Sequence, residues 1–317
     1  MPAPPVFTDE DHAELARVKR RLGGLPRIRM QTAVGRTVAH GIVLALELKL
    51  APSVRRTGVT IETRSVVSLG KRLKLRILRP EGKVRGVHLD IHGGGWCAGN
   101  ARMDDKPNAE LVRRHDIAVV GFEYGFAPRN SIREIISWCD AAAFWLAGNA
   151  QREFGADRIT IGGESAGAHL AVCTMLKRRD IFRGALLYYG IYDLAGGEGL
   201  RRAPPGTLVF HAPTMLPCLH LLTKGMTDEQ RRAPDISPAF ADLSDLPPAL
   251  MIGGTDDPLL DESEALRARW HGANGNADIL LVPGAPHAFN RLPVGIARKT
   301  EDFAHDWLSE RFSAHSQ

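Results

Sequence analysis

From Thr60 onward this 317-residue chain sets short runs rich in Val, Ile and Leu against stretches with a helical period. Strands are expected at 60–67, 74–78, 84–91, 117–124, 158–161, 184–189, 249–252 and 277–282, and helices at 132–147, 166–177, 262–271 and 294–312. Strands alternating with helices predict an α/β fold, a mostly parallel sheet covered on both faces and joined by right-handed crossovers. The first two strands have no helix between them and are expected to form an antiparallel edge. Residues 7–51 are helical in pattern, with Asp9, Glu10 and Asp11 suited to a helix start and Gly23-Gly24 as a break. From Asp193 to Ser244 the alternation stops, Gly and Pro become frequent, and the apolar run Met215 to Leu222 does not read as a sheet strand. A structureless loop of that length is unusual in a compact domain, so the segment is expected to form a lid.

Apolar residues at 44% and charged residues at 24% suit a globular enzyme and exclude a disordered chain. The net charge of +5 is spread thinly. Arginine pairs such as Arg20-Arg21, Arg113-Arg114 and Arg231-Arg232 recur along the chain without forming a block, so a solvated basic surface is expected and no nucleic-acid partner. The start, Met1-Pro2-Ala3-Pro4-Pro5, has no basic segment followed by an apolar one, and the apolar run 41–51 carries Glu47 and Lys49. Neither reads as a secretion signal nor as a span of about 20 apolar residues. The expectation is a cytoplasmic protein with no stable membrane anchor. Cys97, Cys139, Cys173 and Cys218 lack C-x-x-C spacing and are expected to be buried thiols, without a disulfide framework or a metal.

The chemistry concentrates at strand ends. Gly163-Glu164-Ser165-Ala166-Gly167 lies between the apolar run Ile159-Thr160-Ile161 and the helical Ala168 to Val172. A serine between small residues at a strand-to-helix junction reads as a nucleophile elbow, in which only glycine-sized flanks let strand and helix pack closely. Serine needs a base within hydrogen-bond reach, itself held by a third group. Downstream, Asp256 and Asp257 follow one expected strand and His287 follows the next, at the carboxyl ends where open α/β sheets place their sites. The residues alone do not separate Asp256 from Asp257. Asp261, with Glu264 three residues later, reads as a helix capping box. After the strand ending at Ile91 comes His92-Gly93-Gly94-Gly95-Trp96, whose glycines leave backbone N–H groups free to face developing negative charge. The loop lacks the spacing of a phosphate-binding motif. His88 and His92 share a strand face but stand about 13 Å apart, too far to share a metal. Trp96, Trp138 and Trp145 are expected in the core or a pocket wall.

Together, His92 to Trp96, Gly163 to Gly167, Tyr124-Gly125-Phe126-Ala127-Pro128 and Asp257-Pro258-Leu259-Leu260-Asp261 resemble the motifs of the hormone-sensitive-lipase-like, α/β-hydrolase fold-3 esterases, in order and over the chain from about residue 60 onward. The resemblance implies an α/β-hydrolase fold with a mostly parallel eight-stranded sheet, helices on both faces and a helical cap. Its core would be 56–192 and 245–317, and its cap the N-terminal segment 1–55 and the insertion 193–244. It assigns the acid to Asp257, with Ser165 as nucleophile, His287 as base, and Gly93, Gly94 and Ala166 as oxyanion donors. It implies a carboxylesterase acting through an acyl-enzyme on short to medium acyl esters of small molecules, with no cofactor, and it admits a homodimer through the last strand and the helix after it. An amidase, lactonase or deacetylase would use the same fold and triad. A family receptor that lost the histidine binds its ligand without catalysis, and the presence of His287 weighs against that role here. Glu164 stands where the family commonly has Asp or Thr, and Gly125 and Arg129 where it has Arg and Glu, two residues that brace a loop near the site.

Overall fold

The computed structural model describes residues 1–24, 28–55, 58–204, 207–208 and 212–313, the side chains of 46–55 and 212–213 excepted. Helices α1 (Asp9–Gly23) and α2 (Ala33–Arg55) lead into strands β1 (Thr60–Ser68), β2 (Lys71–Arg79) and β3 (Gly86–Ile91). Then α3 (Asp105–His115), β4 (Ile117–Phe122), α4 (Ile132–Phe154), β5 (Ile159–Glu164), α5 (Ala166–Lys177) and β6 (Phe182–Tyr188) alternate strictly. The segment after β6 carries α6 (Glu198–Arg202), α7 (Ala212–Leu222) and α8 (Asp228–Arg231), and the chain closes with β7 (Ala249–Gly254), α9 (Leu260–Asn274), β8 (Ala277–Val282) and α10 (Gly295–Glu310).

The eight strands form one sheet in the order β1-β2-β4-β3-β5-β6-β7-β8. β2 pairs antiparallel with β1 and β4, and every pairing from β4 to β8 is parallel. β3, β4, β5 and β7 are buried along their whole length, as strands covered on both faces must be. Strand order reverses at β3, which lies between β4 and β5, and this crevice is where open α/β sheets bind ligands.

The period-2 alternation of the strands divides the interior into two cores. Val87, Leu89, Ile91, Ala118, Val120 and Phe122 face a core shared with α4, α5 and α9. Ile117, Val119, Leu186, Leu250 and Ile252 face a second core shared with α3, α10 and Leu15 of α1. Local chemistry sets the helix ends. Thr8 with Asp11, and Ser131 with Glu134, form reciprocal capping boxes on α1 and α4. Gly155 ends α4 at φ 70°, the left-handed conformation that favours glycine. No helix among the described residues is long and apolar enough to cross a membrane.

Two local expectations change. No helix was expected over α3, because only Ala109, Leu111 and Val112 supply its apolar face, yet those three are buried against the sheet. Asp261 is not a capping residue: α9 begins at Leu260 without a side-chain cap, and the Asp261 carboxylate instead accepts the Gly199 N–H at 2.7 Å, tying α9 to α6. The run Met215 to Leu222 is helical, within α7.

The β5–α5 junction is closely packed against β3. A Cβ on Gly167 would lie 1.9 Å from the Ile91 carbonyl oxygen, and one on Gly163 would lie 2.4 Å from the same atom. Gly167→Ala is therefore expected to destabilise the protein by about 2–3 kcal/mol, the upper range for forcing a methyl group into packed backbone. Urea denaturation measures this, and an unchanged midpoint would mean that β3 and α5 can separate freely.

Candidate active site

Ser165 follows the last residue of β5 and caps α5, at φ 55° and ψ −115°. A non-glycine residue in such a conformation is strained, and the strain persists only where surroundings fix it. Here the Ser165 N–H donates to the Tyr188 carbonyl at 2.9 Å and its own carbonyl accepts the His169 N–H at 3.2 Å. The turn lifts the side chain off the end of the sheet.

His287 arrives on the loop after β8. Its Nε2 lies 3.0 Å from Ser165 Oγ, and its Nδ1 lies 2.7 Å from Asp257 Oδ2. An ionised carboxylate only accepts, so Nδ1 carries the proton and Nε2 is left to accept from the serine hydroxyl. Asp257 is held in turn, its Oδ1 accepting the Leu259 N–H at 2.9 Å. Asp256 points elsewhere, with a side chain 47% exposed and paired with Lys19 of α1. The structure thus brings Ser165, Asp257 and His287 together and leaves Asp256 outside.

The glycine loop lies against this turn. A Cβ on Gly93 would lie 2.9 Å from the Glu164 carbonyl, while Gly94 at φ 111° and Gly95 at φ 60° take conformations suited to glycine. The Gly94 carbonyl accepts the N–H groups of Cys97 and Ala98, which fixes the loop. Ala166 opens α5, where the first N–H groups have no partner within the helix. His92 acts on the loop rather than beside Ser165. It donates through Nδ1 to the Gly93 carbonyl at 2.8 Å and stacks on Tyr124 at 4.2 Å, and burial holds its pKa down at about 4. His88 bonds Thr160 at 2.9 Å from within the sheet. Among the described residues no group of three or more His, Cys, Asp or Glu is arranged to hold a metal ion.

The four cysteines are buried, and burial pushes the Cys97 thiol up to about 11 and that of Cys218 to about 12. Buried thiols this weakly acidic are poor nucleophiles. At Gly125, the missing side chain makes room for Asn130, whose amide donates to the Phe126 carbonyl at 3.2 Å and braces the loop locally. A cleft of about 590 Å³ opens beside Asp257, lined by Ala203, Leu208, Pro258 and Pro286 and by the charged Lys19, Arg202 and Asp256.

Sequence reading gave His169 no role. On α5, its Nδ1 accepts from the Trp96 indole at 3.3 Å and its Nε2–H donates to the Ile236 carbonyl at 2.7 Å. It joins the glycine loop, the elbow helix and the segment before β7. The signal was available only as a histidine four residues after the candidate nucleophile.

A family model for the α/β-hydrolase fold matches residues 88–291, which hold Ser165, Asp257, His287 and the glycine loop. This chain belongs to the α/β-hydrolase fold-3 family. The carboxylic ester hydrolase LipN of Mycobacterium tuberculosis (strain ATCC 25618 / H37Rv) is 28% identical over 211 residues, 63% of this chain and 56% of that protein. The match therefore spans little more than half of that curated relative. Among solved structures, a bacterial heroin esterase superposes with a TM-score of 0.86 at 26% identity, covering 95% of this chain and 98% of that one. The esterase LipW from Mycobacterium marinum superposes at 0.85 over 98% of this chain and 99% of its own, and at 23% identity it speaks for the fold alone.

Protonating His169 would break its bond from Trp96 and place a charge in a dry interior. Burial accordingly lowers its pKa from 6.5 to about 4. In the unfolded chain the imidazole takes up its proton near pH 6.5, so between pH 6.5 and 4 the unfolded state binds more protons and stability from this group falls as pH falls. Its contribution is on the order of 3 kcal/mol. His169→Gln is expected to flatten the pH dependence of the unfolding free energy measured in urea across that window, by about 1.4 kcal/mol per pH unit. Equal slopes in the two proteins would show that the histidine is not held neutral.

Proposed function

We propose that this protein is a serine carboxylic-ester hydrolase that works through an acyl-enzyme. One observation carries the reading: a strained serine whose hydroxyl meets a histidine, which is itself held by a buried carboxylate. His287 takes the Ser165 proton as Oγ attacks the ester carbonyl, and Asp257 stabilises the imidazolium that forms. The tetrahedral oxyanion is received by the backbone N–H groups of Gly93, Gly94 and Ala166. His287 then protonates the departing alcohol, leaving the acyl group on Ser165. Water, deprotonated by His287, attacks the acyl carbon, and collapse of the second oxyanion releases the acid and returns the proton to Ser165.

The substrate class follows from the surroundings. The helical segment around Met215 to Leu222 is apolar, and Ala203, Pro204, Leu208, Pro258 and Pro286 line part of the cleft beside Asp257. These features suit an uncharged, partly apolar ester with a short to medium acyl chain. We assign residues 1–55 and 193–244 to a cap over that site, and the bonds from Lys19 to the Gly284 carbonyl and from the Gly199 N–H to Asp261 support this by linking the segments to the loop after β8 and the first turn of α9. LipN and the heroin esterase, both named as ester hydrolases, are relatives consistent with the assignment.

The test is hydrolysis of p-nitrophenyl butyrate by purified variants. Ser165→Ala is expected to lower kcat by about 10⁴–10⁶ and to abolish fluorophosphonate labelling. Asp257→Asn should lose about 10⁴, whereas Asp256→Asn should stay within about a factor of three of the parent, as a surface substitution does. Undiminished hydrolysis by Ser165→Ala would refute the mechanism.

A further inference from the structure

Glu164, immediately before the candidate nucleophile, points away from the cleft into the protein, where its side chain is 12% exposed. Its Oε1 accepts from Asn290 Nδ2 at 2.7 Å, and its Oε2 accepts from Arg291 Nε at 2.8 Å and lies 2.7 Å from Nη2. Both donors sit on the loop that carries His287. The remaining guanidinium donors reach a third loop, with Nη1 bonding the Met103 carbonyl at 3.0 Å and Nη2 bonding the buried Asp104 carboxylate. Residues 103 and 104 lie between the glycine loop and α3.

We propose that Arg291 is a positioning residue that locks the serine turn, the histidine loop and the segment following the glycine loop into one geometry, with Glu164 as its anchor beside the nucleophile. This rests on the serine-hydrolase reading above. The guanidinium suits the task because its planar fork presents several donors in fixed directions, which a lysine ammonium does not. Contact with His287 is completed by Tyr189. Its hydroxyl donates to Asn290 Oδ1 at 2.5 Å, and its ring lies 4.6 Å from the His287 ring. The bonds therefore run from the residue before Ser165, through Asn290 and Tyr189, to the face of the base.

The arrangement holds together because its charges are balanced locally. Asp104 and Glu164, both buried, converge on the part-exposed guanidinium of Arg291, and removing that cation would leave two buried carboxylates uncompensated. A cation is therefore needed to balance the two acids, and a guanidinium for geometry. Lysine at position 291 separates the two requirements.

The experiment compares Arg291→Lys, Arg291→Ala, Glu164→Gln and the Arg291→Lys/Glu164→Gln pair with the parent on p-nitrophenyl butyrate, at a temperature where circular dichroism shows each to be folded. Displacing reacting groups by about 1 Å costs on the order of 10²-fold. Arg291→Lys is thus expected to lower kcat about 10²-fold while KM stays within about threefold. The double variant should be no slower than the slower single, since both act through one contact. Millimolar guanidinium should restore part of the rate of Arg291→Ala. Should Arg291→Ala fail to fold, Arg291→Lys and the double variant decide. A kcat in Arg291→Lys within threefold of the parent, or losses that multiply in the double variant, would overturn the proposal. Fluorophosphonate labelling of the parent at Ser165 separates this failure from failure of the serine-hydrolase reading, in which the parent itself would neither label nor turn over.

Discussion

A non-glycine residue at φ 55° and ψ −115° costs on the order of 1–3 kcal/mol, and much of the site exists because Ser165 is kept there. The constraint begins with two glycines that admit the Ile91 carbonyl where a Cβ would stand. It continues through the Ser165 N–H, which the Tyr188 carbonyl of the next strand captures. Strand β5 cannot extend past Glu164 without losing these contacts, and α5 cannot start earlier. The hydroxyl is left at the sheet end within 3.0 Å of His287. The glycine loop shares the same constraint, because Gly93 packs against the carbonyl of Glu164. One backbone turn thus sets both Ser165 and the surface facing it.

The parts of this arrangement that were legible in the chain are those encoded locally. Glycine flanks around a serine, three consecutive glycines after an apolar strand, and an acid and a histidine each following a further strand are short-range signals. Sheet topology then brings them together, because the carboxyl ends of parallel strands all point the same way. Asp256 and Asp257 show where local signals stop. They are adjacent, alike in chemistry and both in the turn after β7, and only the three-dimensional turn sends one toward His287 and the other toward Lys19. The helix α3 was illegible for a different reason: three buried apolar residues suffice for a short helix pressed on a sheet, too few to set a period against Arg113, Arg114 and Glu110. Asp261 misled because its spacing to Glu264 matches a capping box, while its real partner, Gly199, is 62 residues away.

The polar interior follows from the strand period as well. β3 turns Val87, Leu89 and Ile91 to one core and His88 and Asp90 to the other. The second side is therefore not purely apolar. Asp90 accepts from Asn108 of α3 at 2.8 Å, and burial with the nearby Asp104 charge raises its pKa. Burial also raises Asp104, to about 6. Of these two acids, Asp104 is the one that Arg291 reaches from the histidine loop.

Glu164 is where the two arguments meet. As a motif letter it looked like a departure with no evident consequence, because its partners lie 126 and 127 residues further on. In the fold it has room for two donors at once, Asn290 on one oxygen and Arg291 on the other. The Glu164 carboxylate faces the interior, while the hydroxyl of the adjacent Ser165 faces His287. The same backbone turn that exposes the hydroxyl therefore buries the acid. Because Glu164 bonds Asn290 and Arg291 from the interior, these bonds take no room on the side of the turn where Ser165 meets His287.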